Sequence, residues 1–311
     1  MISIASYTAD QVKTWDDFVN RSRAPMFMFN RGFMDYHADR FEDASLMFYR
    51  DDELVAVLPA TRHGDEIRSH GGLTYGGIIS GEKMKQHTMM DCFGSLRLFY
   101  REQGVKTLLY KTIPHIYHRQ PAEEDRYALF RSNANLVKVE SATVVNLAQP
   151  FKMPKGRRAQ ISRARREGVE VLGTEDFGTF IALENAVLRE RHDTKAVHTA
   201  DELRLLKSRF PTRIRCLGGF LGGKMIAGAV VFVYDNVVHT QYLSADAKAR
   251  EIGALDLVIA TLMNQYRPTH AWLDFGISTE NGGMVMNEGL IAQKEGFGGR
   301  TNVYTTWRIY V

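Results

Sequence analysis

Cysteine is nearly absent from this 311-residue chain, which contains only Cys92 and Cys216. Two thiols build neither a disulfide framework nor a thiolate zinc site, and their scarcity fits a reducing compartment. Long hydrophobic runs are missing too, so no transmembrane segment is expected. The opening stretch, MISIASYTADQVKTWDDF, lacks the basic start and apolar stretch of a secretion signal, and the expected location is the cytoplasm. Charge of one sign is also scarce. Forty Lys and Arg against 36 Asp and Glu leave +4, too little for the whole chain to be a polyanion binder by composition. His115 and His118 in HIYH have no acidic or cysteine partner in sequence, and no metal is expected. SHGGLTYGGIISG, residues 69–81, lacks the Lys-Ser/Thr ending of a P-loop, and the DFG at 274–276 has no HRD loop beside it, which argues against nucleotide hydrolysis and kinase chemistry.

Positive charge is concentrated in KGRRAQISRARREG, residues 155–168. As a helix ending at Gly168, this segment sets Arg158, Ser162, Arg165 and Arg166 near one face and leaves Ile161 and Ala164 to pack inward. Such a face is a solvated surface, a site for an anion such as a sugar-nucleotide pyrophosphate, or a nucleic-acid arm. Without a basic tail or interleaved aromatics the last reading is the weakest, and DNA is not an expected partner.

A longer pattern organises the chain. From Ile214, three apolar strands are separated by GG at 222–223 and DN at 235–236, then come the helical ALDLVIATLMNQYR and the strand AWLDFGIS. From Ser45 the same order appears: strands broken by DD and HG turns, a Gly-rich loop, a helix over MKQHTMMDCFGSLRLFYREQG ending at Gly104, and the strand KTLLYKTI. Helical segments precede each set: ADQVKTWDDFVNRS and NRGFMDYHADRF in the first, the basic segment and FGTFIALENAVLRERHD in the second. A length above what one core usually organises, with a β-β-β-α-β order occurring twice, points to two similar domains divided near AQPFKMP, residues 148–154.

This order resembles the GNAT acyltransferase fold in tandem. With KGRRAQISRARREGV, GKMIAGAVVFVYDNVVHTQYLSA and LDFGISTENGGMVMNEGLIAQKEGFGGR in sequence, it is similar in particular to the FemAB-like family of peptidoglycan-bridge aminoacyltransferases and polysaccharide-pathway acyltransferases. The resemblance spans nearly the whole chain. It implies an α/β (α+β) fold of two GNAT-like domains, each a mixed, mostly antiparallel sheet flanked by helices, with a cleft between them. Residues 1–150 would form a degenerate domain on the acceptor side, and residues 151–311 would hold the donor and the chemistry. Acyl-CoA or acetyl-CoA is the implied co-substrate, held in the family by an Arg/Gln-x-x-Gly-x-Gly/Ala loop. Arg250, Gly253 and Ala254 match part of that loop, but Leu255 replaces its final small residue. Aminoacyl-tRNA, the donor of the Fem enzymes, stays open as an alternative.

The resemblance also selects residues. Lys294, before Phe297 in QKEGFGGR, aligns with a lysine that Fem-type enzymes hold near substrate phosphate or a developing oxyanion, where an ammonium stabilises charge in a dry cleft. Tyr242 matches a Fem tyrosine. Strand alternation puts Tyr242 and His239 on opposite faces, so His239 is expected to be structural. By its own place at the end of the strand in LDFG, Asp274 would accept a proton or orient the amine, or else cap the following loop. His70 and Tyr75 lie in a Gly-rich loop that faces substrate in Fem-like proteins, Arg158 would meet an anionic acceptor, and Glu280, Asn287 and Glu288 would bind hydroxyls or amines. The expected function is N-acyl transfer to an amine of a sugar nucleotide, cell-wall or polysaccharide precursor. Its rivals are tRNA-dependent aminoacyl transfer and noncatalytic sugar-nucleotide binding.

Overall fold

The structure, a computed structural model, describes every residue except Asp193 and the side chains of Arg191 and His192. It divides into two compact units. One comprises residues 1–141, 279–286 and 302–311, the other residues 142–278 and 287–301. Among the described residues no helix is long and apolar enough to cross a membrane.

The chain begins with β1 (Ile2–Ser6), α1 (Val12–Arg21), α2 (Arg31–Met34), β2 (Glu42–Asp43), β3 (Leu46–Arg50), β4 (Glu53–Leu58), β5 (Thr61–His63), β6 (Glu66–Arg68), β7 (Ile79–Ser80), α3 (Gln86–Glu102), β8 (Thr107–Lys111), α4 (Glu124–Arg131) and β9 (Asn135–Asn146). The DD turn joins β3 to β4 as expected, with Asp51 and Asp52 at φ 51° and 62°, the left-handed pair of a tight hairpin. The three-strand meander does not continue past β4. Pro59, which has no N–H to donate, ends that strand, and β7 takes the next place in a sheet ordered β1-β3-β4-β7. The expected second strand is thereby split into β4 and β5, the HG turn joins β5 to the third strand β6 as expected, and β6 also pairs parallel with β8. NRGFMDYHADRF is not one helix either, because α2 gives way to a 3-10 turn over Asp35–Arg40 interrupted at His37 (φ −126°, ψ 29°). The core of this unit sits between α3, through Met89, Cys92, Phe93 and Leu96, and the strand residues Phe48, Ala56, Leu58 and Leu108.

The second unit carries α5 (Lys155–Arg166), β10 (Glu170–Thr174), α6 (Phe177–His192), α7 (Ala200–Arg209), β11 (Ile214–Leu221), β12 (Lys224–Val233), β13 (Val237–Ala245), α8 (Ala247–Ile252), α9 (Ala254–Tyr266) and β14 (Trp272–Ile277). The chain ends with β15 (Thr279–Glu280), β16 (Val285–Met286), α10 (Glu288–Glu295) and β17 (Arg300–Tyr310). The expected end of α6 at Asp193 lies outside the described residues. Here the meander forms as expected: β11, β12 and β13 are antiparallel neighbours, and β14 follows beside β13. β12 is an unbroken apolar run because both of its faces are covered. Ala227, Ala229, Val231 and Val233 pack with Leu257, Val258, Ile259 and Leu262 of α9. On the other face, a Cβ on Gly228 would lie 2.9 Å from Phe180 of α6. Each fully buried aliphatic side chain of this sandwich contributes about 1.5–3 kcal/mol.

Candidate functional site

β13 and β14 pair only briefly. Val237, Val238 and His239 face Trp272, Leu273 and Asp274, after which β13 runs on to Ala245 and β14 to Ile277 without further strand pairing between them. Two local features help part them. Gly276 takes φ 69°, which a regular strand cannot continue, and a bulge in β13 sets Tyr242 against Val230 but Thr240 against Val231, leaving Gln241 inserted. At the opening lies a cavity of about 300 Å³ whose walls include Leu243, Ala245, Phe275, Ile259, Lys294 and Phe297.

The bulge overturns the expectation that His239 and Tyr242 face opposite ways. Tyr242 lies opposite Val230 and His239 opposite Phe232, and Val230 and Phe232 are two apart on β12, so both rings occupy one face. That face belongs to α6, whose Phe180 ring lies 6.4 Å from Tyr242. The Tyr242 hydroxyl accepts the His198 backbone N–H at 3.0 Å and meets His198 Nδ1 at 2.6 Å. Burial pushes the phenol up to about 12, so it keeps its proton. On α6, burial also raises the Glu184 carboxyl above its ordinary range.

Asp274 has no exposed surface. One carboxylate oxygen is 3.1 Å from His239 Nδ1, and the other accepts the Gly276 N–H at 2.8 Å. With both oxygens engaged and no solvent contact, Asp274 is placed to orient His239 rather than to take a proton from a substrate. Lys294 is not a surface lysine, being only 5 % exposed. Its Nζ donates to Gly276 O (3.0 Å), Ile277 O (2.7 Å) and Ser278 Oγ (2.7 Å), which uses all three donors. Burial pushes the ammonium down to about 8, with Asp274 opposing the shift. Asn287 serves α10 itself: its side chain caps Leu290 N at 3.0 Å, and its N–H donates to Ser278 O at 3.0 Å. Both ends of α10 are thereby tied to residues 276–278.

The basic helix takes the expected orientation, and the residue not foreseen is Arg157. Ile161 and Ala164 are buried as predicted, but Arg158 is exposed and Arg157 turns inward. The Arg157 guanidinium lies 4.3 Å from the Phe297 ring centroid, pairs with Asp256, and donates to Gln293 O at 3.0 Å. The predicted phosphate loop does not fit a pyrophosphate. Gly253 (φ 78°) is left-handed, and a Cβ there would lie 2.7 Å from Gln160 O, so the glycine serves the close approach of α5. Ala254 is fully buried. Asp246 caps Ala249 N at 2.8 Å at the start of α8, and Asp256 in the first turn of α9 is paired with Arg157. Arg250 does line the cavity, although its guanidinium donates to Ala245 O at 2.8 Å and pairs with Glu190 at 3.5 Å.

Of the predicted residues, the second unit gathers Lys294, Asp274, Phe297 and Arg250 at or beside the cavity and sets Tyr242 on the α6 face. Arg158, Glu288 and Glu280 are exposed and do not line it. His70 and Tyr75 belong to the first unit. His70 is left-handed (φ 52°), packs against His37 and Phe41, and is pushed by burial down to about 3. Tyr75 is buried, with its hydroxyl 3.0 Å from that of Tyr117 and 2.9 Å from that of Tyr304. Sequence reasoning missed Arg157, Glu184 and His198 and set His239 aside; no local pattern distinguishes them from ordinary helix, loop or strand residues.

Comparisons with known proteins agree with this architecture. Residues 155–281 match the family model described as an acetyltransferase (GNAT) domain. The crystal structure of FemX superposes with a TM-score of 0.69 at 9 % identity, over 97 % of this chain and 96 % of that one. The C-terminal domain assigned to a lysylphosphatidylglycerol synthetase from Agrobacterium fabrum gives 0.64 at 14 % identity, over 96 % and 91 %. A tandem GNAT protein from the clavulanic acid biosynthesis pathway gives 0.55 at 12 % identity, over 100 % and 98 %. No curated protein matches the sequence. The class is thus a mixed α/β GNAT fold in tandem. Within that class, the fold is similar to that of FemX, and residues 155–281 match an acetyltransferase (GNAT) domain.

Proposed function

We propose that this protein is an N-acyltransferase, working in the cytoplasm, that moves an acyl group onto an amine of an anionic or glycosylated small molecule such as a sugar nucleotide or a cell-wall or polysaccharide precursor. The observation that carries this reading is the parting of β13 from β14 at His239 and Asp274, with an apolar cavity at the opening and Lys294 in its wall. The acyl donor supplies a carbonyl carbon bonded to a good leaving group. Leu243, Ala245, Phe275 and Ile259 would hold its apolar part and exclude water. The buried Lys294 ammonium places positive charge beside the opening, and the charge that develops on the carbonyl oxygen is stabilised there because the surroundings are dry. Tyr242 and His198 would set the face from which the amine arrives.

Acyl-CoA is the first donor to test. The Asp246 carboxylate capping the start of α8 favours a second reading, an aminoacyl ester donor such as aminoacyl-tRNA, because it opposes a pyrophosphate there. Thermal melting with acetyl-CoA, longer acyl-CoAs, free CoA and a panel of UDP-sugars separates these possibilities, since a ligand of the native state raises the melting temperature by mass action. A saturable rise with acyl-CoA, followed by amide formation with an amino sugar nucleotide, is the expected result. A rise with sugar nucleotides alone removes CoA as donor, and absence of amide formation from either donor class removes the enzymatic reading.

A further inference from the structure

An amine attacks an acyl carbon only as the neutral base, and the nitrogen must shed a proton as the amide forms. Asp274 is sealed from solvent, and Lys294 is a cation with its three donors engaged. His239 differs from both. It occupies the last paired position of β13, opposite Asp274, where the two strands begin to part. Its residue exposure is 9 %, compared with none for Asp274. An ionised carboxylate only accepts hydrogen bonds, so the 3.1 Å contact to Asp274 places the ring proton on Nδ1 and the lone pair on Nε2. Among the described residues, Nε2 has no hydrogen-bond partner. The carboxylate is itself held by Gly276 N at 2.8 Å, and the same glycine closes one edge of the ring, since a Cβ on it would stand 3.3 Å from His239 Cε1. Thr240 Oγ1 adds a bond to Asp274 O at 3.4 Å. The other titratable groups around this pair are Tyr234, Lys294, Tyr242, His198 and Glu184.

We propose that His239 is the proton acceptor of acyl transfer and that Asp274 positions it, an inference that rests on the N-acyltransferase reading. The neutral amine forms the new N–C bond as the carbonyl π pair moves to oxygen, and the ammonium nitrogen gives its proton to Nε2. When the carbonyl reforms, the bond from carbon to the donor's sulfur or oxygen breaks. Nε2 returns the proton to that leaving group, and the ring ends neutral.

Two measurements on the full chain test this. Long-range ¹H–¹⁵N spectra, with His239→Gln for assignment, should show His239 protonated at Nδ1 and bare at Nε2 at mildly alkaline pH, and Asp274→Asn should abolish that preference. A ring protonated at Nε2 in the wild type overturns the proposal whatever the substrate. With acetyl-CoA and an amino sugar nucleotide, His239→Gln should lower kcat at least about 10²-fold with little change in KM. His239→Asn, which can keep the bond to Asp274, guards against a misfolded glutamine variant. Wild-type turnover that survives both substitutions overturns the assignment. A wild type inactive with every acyl donor counts against the transferase reading itself, and the spectra then decide the state of His239.

Discussion

Replacing Lys294 by methionine removes its charge while keeping most of its apolar stem. Burial lowers the ammonium from 10.5 to about 8. A cation with a depressed folded-state value is penalised while it remains charged, so the penalty is full below about pH 8 and disappears as pH approaches 10.5. Across that window the unfolded chain holds a proton that the folded chain has released, and wild-type stability rises with pH. The difference between 10.5 and about 8 corresponds to about 3 kcal/mol. Lys111, also lowered to about 8 by burial, contributes the same slope to both proteins and cancels in the comparison. Urea unfolding of wild type and Lys294→Met at several pH values from neutrality to about 10.5 should therefore show the wild type gaining about 3 kcal/mol on the variant as pH rises. The three lost hydrogen bonds offset the curves by a constant amount without changing this trend. Parallel stability profiles would refute a buried, depressed Lys294. Turnover of the variant should fall about 10²-fold or more if the ammonium acts on the developing oxyanion, and unchanged turnover with the true substrates ends that role.

Gly253→Ala should cost at least about 2 kcal/mol, seen as a lower melting temperature, because alanine is strained at φ 78° and its Cβ would meet Gln160 backbone at 2.7 Å. A variant that melts with the wild type would show that α8, α9 and α5 do not pack as described. Cys92 and Cys216 are buried and their thiols are pushed up to about 12. Neither should react with a thiol reagent at mildly alkaline pH in the native protein, while both should react in denaturant; fast labelling of one in the native state would place it at an opening.

The elements of the second unit were legible because their signals are local. GG at 222–223 sits in a tight turn with φ 57° and 79°, Gly168 ends the basic helix at φ 84°, and the apolar face of α9 follows helical spacing. These patterns come from backbone hydrogen bonds and side chains within a few residues of one another, so a short window carries them. The first unit was less legible where the choice was between partners. Nothing near Glu66–Arg68 says that it will also pair parallel with β8, and nothing near the C-terminus says that Thr306–Tyr310 will lie along Thr107–Lys111.

The candidate site follows the same division. Residue types and order along the chain were enough to nominate Lys294, Asp274 and Tyr242 by family resemblance. Their surroundings depend on contacts across long stretches of chain: 18 residues separate Lys294 from Gly276, 35 separate His239 from Asp274, and 44 separate His198 from Tyr242. The Gln241 bulge, with no local signature, decides that His239 and Tyr242 share a face. Packing across 99 residues of chain decides that Arg157 meets Asp256. Local periodicity can specify which residues form a strand or a helix, but the burial of a charge or the aim of an imidazole is set by whichever distant carbonyls and carboxylates packing brings within about 3 Å.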